Sequence, residues 1–282
     1  QREHIYPTSG QLNRQRQPVE ALDDACRDLL ANSHHSQFYS NLDWYEAFTR
    51  HIVTFGHRQR WFALRKGEEV LALLPMEEAP RGRLRVLRSM SNYYTPYFAP
   101  TLAGDDDEAV AATLSRLLTL SMRAFSAYDV VEFAPLRADI ARAIRDASSR
   151  AGFATHQFQK TVNWRLPDAK GYEAFLTQRP SQVRRTYERR LRKLARGFEL
   201  EGEIVTKDTP ERELAAYHDV YRRSWKVDEP YPEFISDVAL QAAQRGALRL
   251  GILRVDGRPI AGQLWFVEHD TASIFKLAAP KS

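Results

Sequence analysis

Apolar side chains recur at helical spacing over some stretches of the chain and crowd into short strand-like runs over others. Residues 19–30 carry Leu22, Cys26, Leu29 and Leu30 on one helical face. Asn41-Leu42-Asp43 supplies a capping residue for a second helix that buries Trp44, Tyr45 and Phe48. Residues 61–65 and 70–76 are apolar runs around Lys66-Gly67-Glu68-Glu69, which predicts strand, turn and strand. Residues 84–87 predict a short strand leading into a loop dense in aromatics, 91–100. The acidic run 105–108 precedes a helix with Val110, Leu114, Leu117, Leu118 and Met122 on its apolar side, and acids suit the positive end of a helix dipole. A strand at 130–133, a helix at 140–150 closed by Gly152, and a strand at 161–166 complete this half. Residues 1–18 are polar and read as a mobile tail.

The second half opens near Pro167 with a short helix from Tyr172 to Phe175. Residues 179–196 then form a basic helix, eight Arg or Lys against the single Glu188. Val183, Tyr187, Leu191 and Leu194 stripe one side of it, which places Tyr187 on a buried face, and Gly197 ends it. Thr209-Pro210-Glu211 starts a helix running to about Trp225, with Leu214, Tyr217 and Tyr221 aligned. A helix follows at 234–244. Residues 248–255 and 259–267 flank Asp256-Gly257, the strongest hairpin signal in the chain, with Pro259 at a strand entry. A last strand spans 272–277.

The two hairpins read alike. With one insertion, Leu64-Arg65 and Leu253-Arg254 are each followed by a turn glycine and a β-branched residue opening an apolar strand. Each half runs helix, helix, hairpin, strand, the mark of an internal duplication. The expected fold is α/β, with two units whose mixed central sheets are flanked by helices. The tail spans 1–18, the first unit 19–166, and the basic connector with the second unit 167–282.

This order resembles that of the GNAT (acyl-CoA N-acyltransferase) fold. Two such units in tandem resemble the Fem-type aminoacyltransferases, and still more the CelD-type acetyltransferases of cellulose and exopolysaccharide biosynthesis. The residues that carry the likeness are Arg184 to Leu194, Tyr221 to Lys226, Leu248 to Leu250, Asp256 to Ala261 and Ile274 to Ala278. It is specific over about 175–278 and architectural over 20–166. It implies acyl transfer from acyl-CoA to an amine or hydroxyl of a saccharide or related metabolite, without a metal. Two alternatives stay open: a tRNA-dependent aminoacyltransferase of Fem type, or a non-catalytic binding module. The family's pyrophosphate loop and helix would follow the Lys276-Leu277-Ala278 strand, whereas the sequence stops at Ser282 and opens on Gln1. The expectation is therefore a fragment with an incomplete second unit.

Composition narrows the classes. Hydrophobic residues are 43% and charged residues 27%, enough apolar sequence for a core, which excludes wholesale disorder. No apolar run reaches membrane-spanning length. One cysteine excludes a disulfide framework within the chain, and a cytoplasmic setting is expected. The net charge of +5 permits an anionic partner and demands none.

Candidate chemistry gathers in three places. Lys276, with Trp225, Lys226 and the strand residue Gln263, is expected to line an acceptor site in the cleft between the units. Tyr93, Tyr94 and Tyr97 have the ring chemistry to floor a sugar or acyl pocket. Arg184, Arg185 and Arg189 present an anion-binding face for a CoA phosphate, a sugar nucleotide, tRNA or anionic lipid, or else a solvated helix. Only Tyr187 interleaves with those charges, so a nucleic-acid groove has little support. Cys26 reads as core, and no nucleophile elbow occurs. His34, His35, His51 and His57 lack metal-ligand spacing with acidic partners. Glu132, Glu268 and Asp270 are carboxylates suited to a general base, and nothing selects among them.

Overall fold

The structure, a computed structural model, describes residues 4–8, 18–52, 56–159, 162–166, 171–208 and 210–280. Two compact units emerge. Unit 1 comprises Gln1–Lys160, Tyr231–Gln241 and Glu268–Thr271, and unit 2 comprises Thr161–Pro230, Ala242–Val267 and Ala272–Ser282.

Unit 1 is built on strands β1 (His4–Thr8), β2 (Arg58–Lys66), β3 (Glu69–Glu78), β4 (Val86–Ser89), β5 (Thr101–Leu102) and β6 (Val130–Glu132). Its helices are α1 (Asp24–Asn32), α2 (Leu42–His51), α3 (Asp107–Phe125) and α4 (Ala138–Arg150). The sheet order is β1-β2-β3-β4-β6, with β5 on β3 and a parallel pairing of β4 with β6. Successive strand side chains alternate faces, yet Trp61, Phe62, Ala63 and Leu64 are all buried, so both faces of β2 are covered. Phe62 and Leu64 meet Leu117, Leu118 and Phe125 of α3 and Ile144 of α4. Trp61 packs edge-on against Tyr45 of α2 at 5.2 Å. The expected Asn41 cap forms, its Oδ1 accepting from Trp44 N at 3.0 Å.

Unit 2 carries α5 (Tyr172–Thr177), α6 (Ser181–Gly197) and α7 (Pro210–Arg222). Its strands are β7 (Leu200–Val205), β8 (Leu248–Val255), β9 (Arg258–Glu268) and β10 (Thr271–Ala278), in the order β10-β9-β8-β7. Helix α8 (Pro232–Gln244) begins among the residues of unit 1, where Phe234 stacks on Tyr94 at 5.4 Å, and ends among those of unit 2. Leu248, Leu250, Ile252, Leu264 and Phe266 are buried with Leu214, Tyr217 and Val220 of α7. The alternating burial of β8 leaves the other sheet face open by comparison. Gly262 makes the helix seat possible: a Cβ there would lie 2.8 Å from the Tyr217 ring.

The duplication is visible in the ladders. In the first hairpin Lys66 pairs with Glu69, Arg65 with Val70 and Leu64 with Ala72, with a bulge at Leu64/Arg65. In the second, Val255 pairs with Arg258, Arg254 with Pro259 and Leu253 with Ala261, with a bulge at Leu253/Arg254. The match is residue for residue and needs no insertion. The turn glycine has changed places: Gly67 is the first turn residue of one, and Gly257 the second of the other, after Asp256 at φ 49°. A shared ion pair accompanies the shared bulge. Arg65 bonds Asp23, the N-cap of α1, and Arg254 bonds Glu213 in the first turn of α7.

Four expectations are corrected. His4–Thr8, inside the supposed tail, is a strand antiparallel to β2. Residues 162–166 form no strand, and all five are exposed, Trp164 among them. Leu200–Val205 is a strand that its Glu-rich sequence concealed. Val183, Tyr187 and Leu191 are exposed rather than buried, because periodicity marks an amphipathic face without supplying what covers it. The proposed cap Thr209 lies outside the described residues.

Glu213 is fully buried, and burial pushes its carboxyl up, but bonds from Arg254 and Arg212 hold it net below its ordinary value of 4.5. A depressed acid stabilises the fold above the unfolded value and loses that contribution as pH falls through the folded one. Glu213→Gln should therefore cost about 3 kcal/mol near neutrality. The gap from wild type in urea unfolding should narrow as the pH drops below that of ordinary glutamates. A gap independent of pH would contradict this account.

Candidate functional site

The end of α7 and the strand β10 bring the second lysine of the chain's terminal region to the first. Past Arg222, Ser224 bridges to Pro280, which lays the connecting segment along the end of β10. Lys226 Nζ donates to Leu277 O at 2.5 Å. Lys276 Nζ pairs with Glu229 Oε2 at 2.7 Å, with both side chains largely shielded from solvent. Both ammonium groups stand over the Tyr221 ring, Lys226 at 5.7 Å and Lys276 at 5.8 Å from its centroid. Such placement uses the negative face of the ring to hold two like charges side by side. Tyr221 Oη donates to Val227 O at 3.3 Å, which ties the loop back to the helix.

The electrostatics follow from this crowding. Burial pushes the Lys276 ammonium below its ordinary range, and the charge of Lys226 adds to that, while Glu229 pulls the other way. One turn earlier on α7, the fully buried Tyr217 hydroxyl has no hydrogen-bond partner among the described residues. Burial, with the Glu229 charge nearby, pushes that phenol well above its ordinary value. A lysine whose charged form is disfavoured gives up its proton more readily. The arrangement can therefore anchor a polar group and exchange a proton with it.

The sequence-predicted residues separate as follows. Lys226 and Lys276 do meet. Trp225 is beside them in the chain and 72% exposed. Gln263 is exposed on β9, where it accepts from Trp265 Nε1 at 3.0 Å, as expected for residues two apart on one face. Tyr93, Tyr94 and Tyr97 belong to unit 1. There Tyr94 is buried against Phe234, Tyr93 is exposed at its edge, and Tyr97 neighbours Tyr39 at 6.4 Å. Arg185 and Arg189 are exposed on α6, and Arg184 is half-buried. Cys26 is core, its thiol pushed up to about 12 by burial. Of the carboxylates, Glu132 pairs with Arg81, Glu268 accepts from Asn41, and Asp270 sits in a turn at φ 59°. Sequence reasoning missed Glu229 and Tyr221 as site residues. Tyr221 read as part of a core stripe, and Glu229 lies in an aperiodic acidic turn.

Residues 181–280, about a third of the chain, match the family model described as an acetyltransferase (GNAT) domain. All the residues of the lysine cluster fall inside this match. Among solved structures the chain is similar to one titled "Crystal structure of FemX", at 10% identity and a TM-score of 0.57, covering 91% of this chain and 78% of that one. It is also similar to a conserved protein of unknown function from Bacteroides thetaiotaomicron VPI-5482, at 12% identity and a TM-score of 0.47, covering 92% and 78%. A tandem GNAT protein from the clavulanic acid biosynthesis pathway matches at 10% identity and a TM-score of 0.36, covering 99% and 80%. No curated protein matches the chain. The fold is thus mixed α/β with helix-flanked sheets and a GNAT-like second half. At 10% identity the likeness to FemX is one of fold.

The lysine cluster has a signature in pH. An unfolded lysine keeps its proton to about its ordinary 10.5, whereas folded Lys276 releases it at lower pH. Between the two values the unfolded chain binds more protons, so stability contributed at this position rises with pH there. Relative to Lys276→Met, wild type should gain stability in urea unfolding as pH is raised from neutrality towards 10.5. A difference that stays flat or falls would show that Lys276 is not held in a disfavoured charge state.

Proposed function

We propose that the protein transfers an acyl group from acyl-CoA to an amine or hydroxyl of a saccharide or related small acceptor. The observation that carries this reading is the Lys226–Tyr221–Lys276–Glu229 cluster lying wholly within the segment that matches a GNAT domain. In the transfer, the acceptor nitrogen or oxygen bonds to the thioester carbon, the C–S bond breaks, and CoA leaves as its thiol with the proton the acceptor loses. Such chemistry asks the protein for a proton acceptor and for donors that stabilise the oxyanion.

Lys226 and Lys276, with Trp225 beside them, hold the anionic or hydroxyl-rich part of the acceptor. Glu229 is a positioning residue, fixing the Lys276 ammonium by its 2.7 Å bond. Helix α3 of unit 1 is unsuited to a CoA pyrophosphate. It is capped by Asp106, whose side chain already accepts from Ala109 N, and its first turn holds Asp107 and Glu108. Negative charge there repels phosphate from the helix end that would otherwise attract it.

Lys226 is the better probe, because its removal frees only the Leu277 carbonyl, whereas removing Lys276 breaks the ion pair with Glu229. With acetyl-CoA and a panel of amino sugars and polyols, CoA-thiol release should depend on the acceptor. Lys226→Met should raise the acceptor KM about tenfold, as expected for the loss of one charged hydrogen bond, with kcat little changed. No acceptor-dependent release from folded wild type would overturn the reading. Transfer from aminoacyl-tRNA in place of acetyl-CoA would move it to the aminoacyltransferase class.

A further inference from the structure

Helix α6 has features that acyl transfer does not use. Eight of the 41 basic residues and one of the 36 acidic ones fall in residues 179–197, leaving 33 against 35 elsewhere. The whole positive excess of the protein is therefore on this one segment. Many arginines in other elements are neutralised: Arg27, Arg50, Arg60, Arg88, Arg223 and Arg254 all face a carboxylate. On α6, Arg184, Arg185, Arg189, Arg190, Arg192, Lys193 and Arg196 make no ion pair among the described residues.

The apolar side of the same helix is open. Val183 is 53% exposed, Tyr187 42% and Leu191 45%. At 3.6 residues per turn these and Leu194 span an arc of about 80°, bordered by Arg184 on one side and Arg190 on the other. Tyr187 Oη bonds Tyr172 Oη of α5 at 2.5 Å, which fixes the amphipathic ring in the middle of the stripe. Half of the exposed large hydrophobic residues among those described, nine of eighteen, fall between residues 162 and 198, with Trp164 at 93%. No helix among the described residues is long and apolar enough to cross a membrane. A strongly basic helix with a narrow open apolar stripe instead has the chemistry of one that lies flat in a membrane interface.

We propose that α6 docks on an anionic phospholipid surface, its Val183–Tyr187–Leu191 stripe at the headgroup boundary and its arginines among the lipid phosphates. Charge complementarity selects this occupant. A nucleic acid would use the arginines and leave the stripe in water, and a second copy would bring seven unpaired cations against their like. Because a helix is about 10 Å across, even the cations on its far side stay within about a Debye length of the surface. Bidentate contact with phosphate oxygens suits arginine, which supplies all but one of these cations.

Flotation of the full chain with vesicles tests the proposal independently of any activity. Wild type should partition into phosphatidylcholine–phosphatidylglycerol vesicles at least about tenfold better than into pure phosphatidylcholine. The triple variant R185E/R189E/R192E should fall to the phosphatidylcholine level. The double variant V183S/L191S should keep binding at low salt and lose what wild type retains at high salt. All these positions are exposed, and matching circular-dichroism melts establish that the variants fold. Equal partition into both vesicle types, or no flotation, overturns the proposal. So does binding of a mixed tRNA pool without vesicle binding, or self-association in sedimentation that V183S/L191S abolishes while vesicles are ignored.

Discussion

In each unit one arginine at a strand bulge reaches an acid at the start of a helix, α1 in one and α7 in the other. Arg65 bonds Asp23 ahead of α1, and Arg254 bonds the buried Glu213 in α7. A bulge turns a side chain out of the regular pleat and sharpens local twist, which frees this arginine to leave the sheet and meet the helix. Its charge-assisted bond then sets how far along the sheet the helix sits. In unit 2 the seat is completed by the Tyr217 ring against Gly262, where no side chain larger than hydrogen fits without movement. Everything in the lysine cluster hangs from that seating, since Tyr221 is one turn beyond Tyr217 and the loop to Glu229 starts where α7 ends.

The repeated ladder also explains how one pattern serves two purposes. In unit 1 the sheet is covered on both faces, and its charged neighbours are consumed in structural pairs such as Glu77 with Arg88 and His57. In unit 2 the alternating burial of β8 covers one face, and the lysines at the end of the sheet are placed over a ring. The same strand, helix, helix, hairpin, strand order thus yields a packed support in one case and an electrostatically loaded end in the other.

Much of this was legible in the chain. Helical stripes such as Leu117, Leu118 and Met122 announced α3, and Asp256-Gly257 announced the second hairpin, because packing there agrees with local propensity. The placing of Lys226 with Lys276 came from the resemblance to known acyltransferases and not from any local pattern. Other features were not legible. His4–Thr8 and Leu200–Val205 are strands held by a neighbouring edge, and polar sequence hides such strands until the partner is known. Glu229 escaped because a single acid in an irregular turn acquires meaning only from the residue it faces. The residue-for-residue match of the two hairpins was hidden by their glycines, which occupy different turn positions and suggested an insertion that does not exist.

The central claim is that acyl-CoA chemistry is served by the end of unit 2 and the lysines gathered there. Amide hydrogen exchange of the full chain, with and without acetyl-CoA together with an amino-sugar acceptor, tests it most directly. The account predicts protection in residues 221–229 and 271–278, and little change in residues 101–110 at the acidic start of α3. Protection confined to the start of α3, or none anywhere at saturating acetyl-CoA and acceptor, would contradict it.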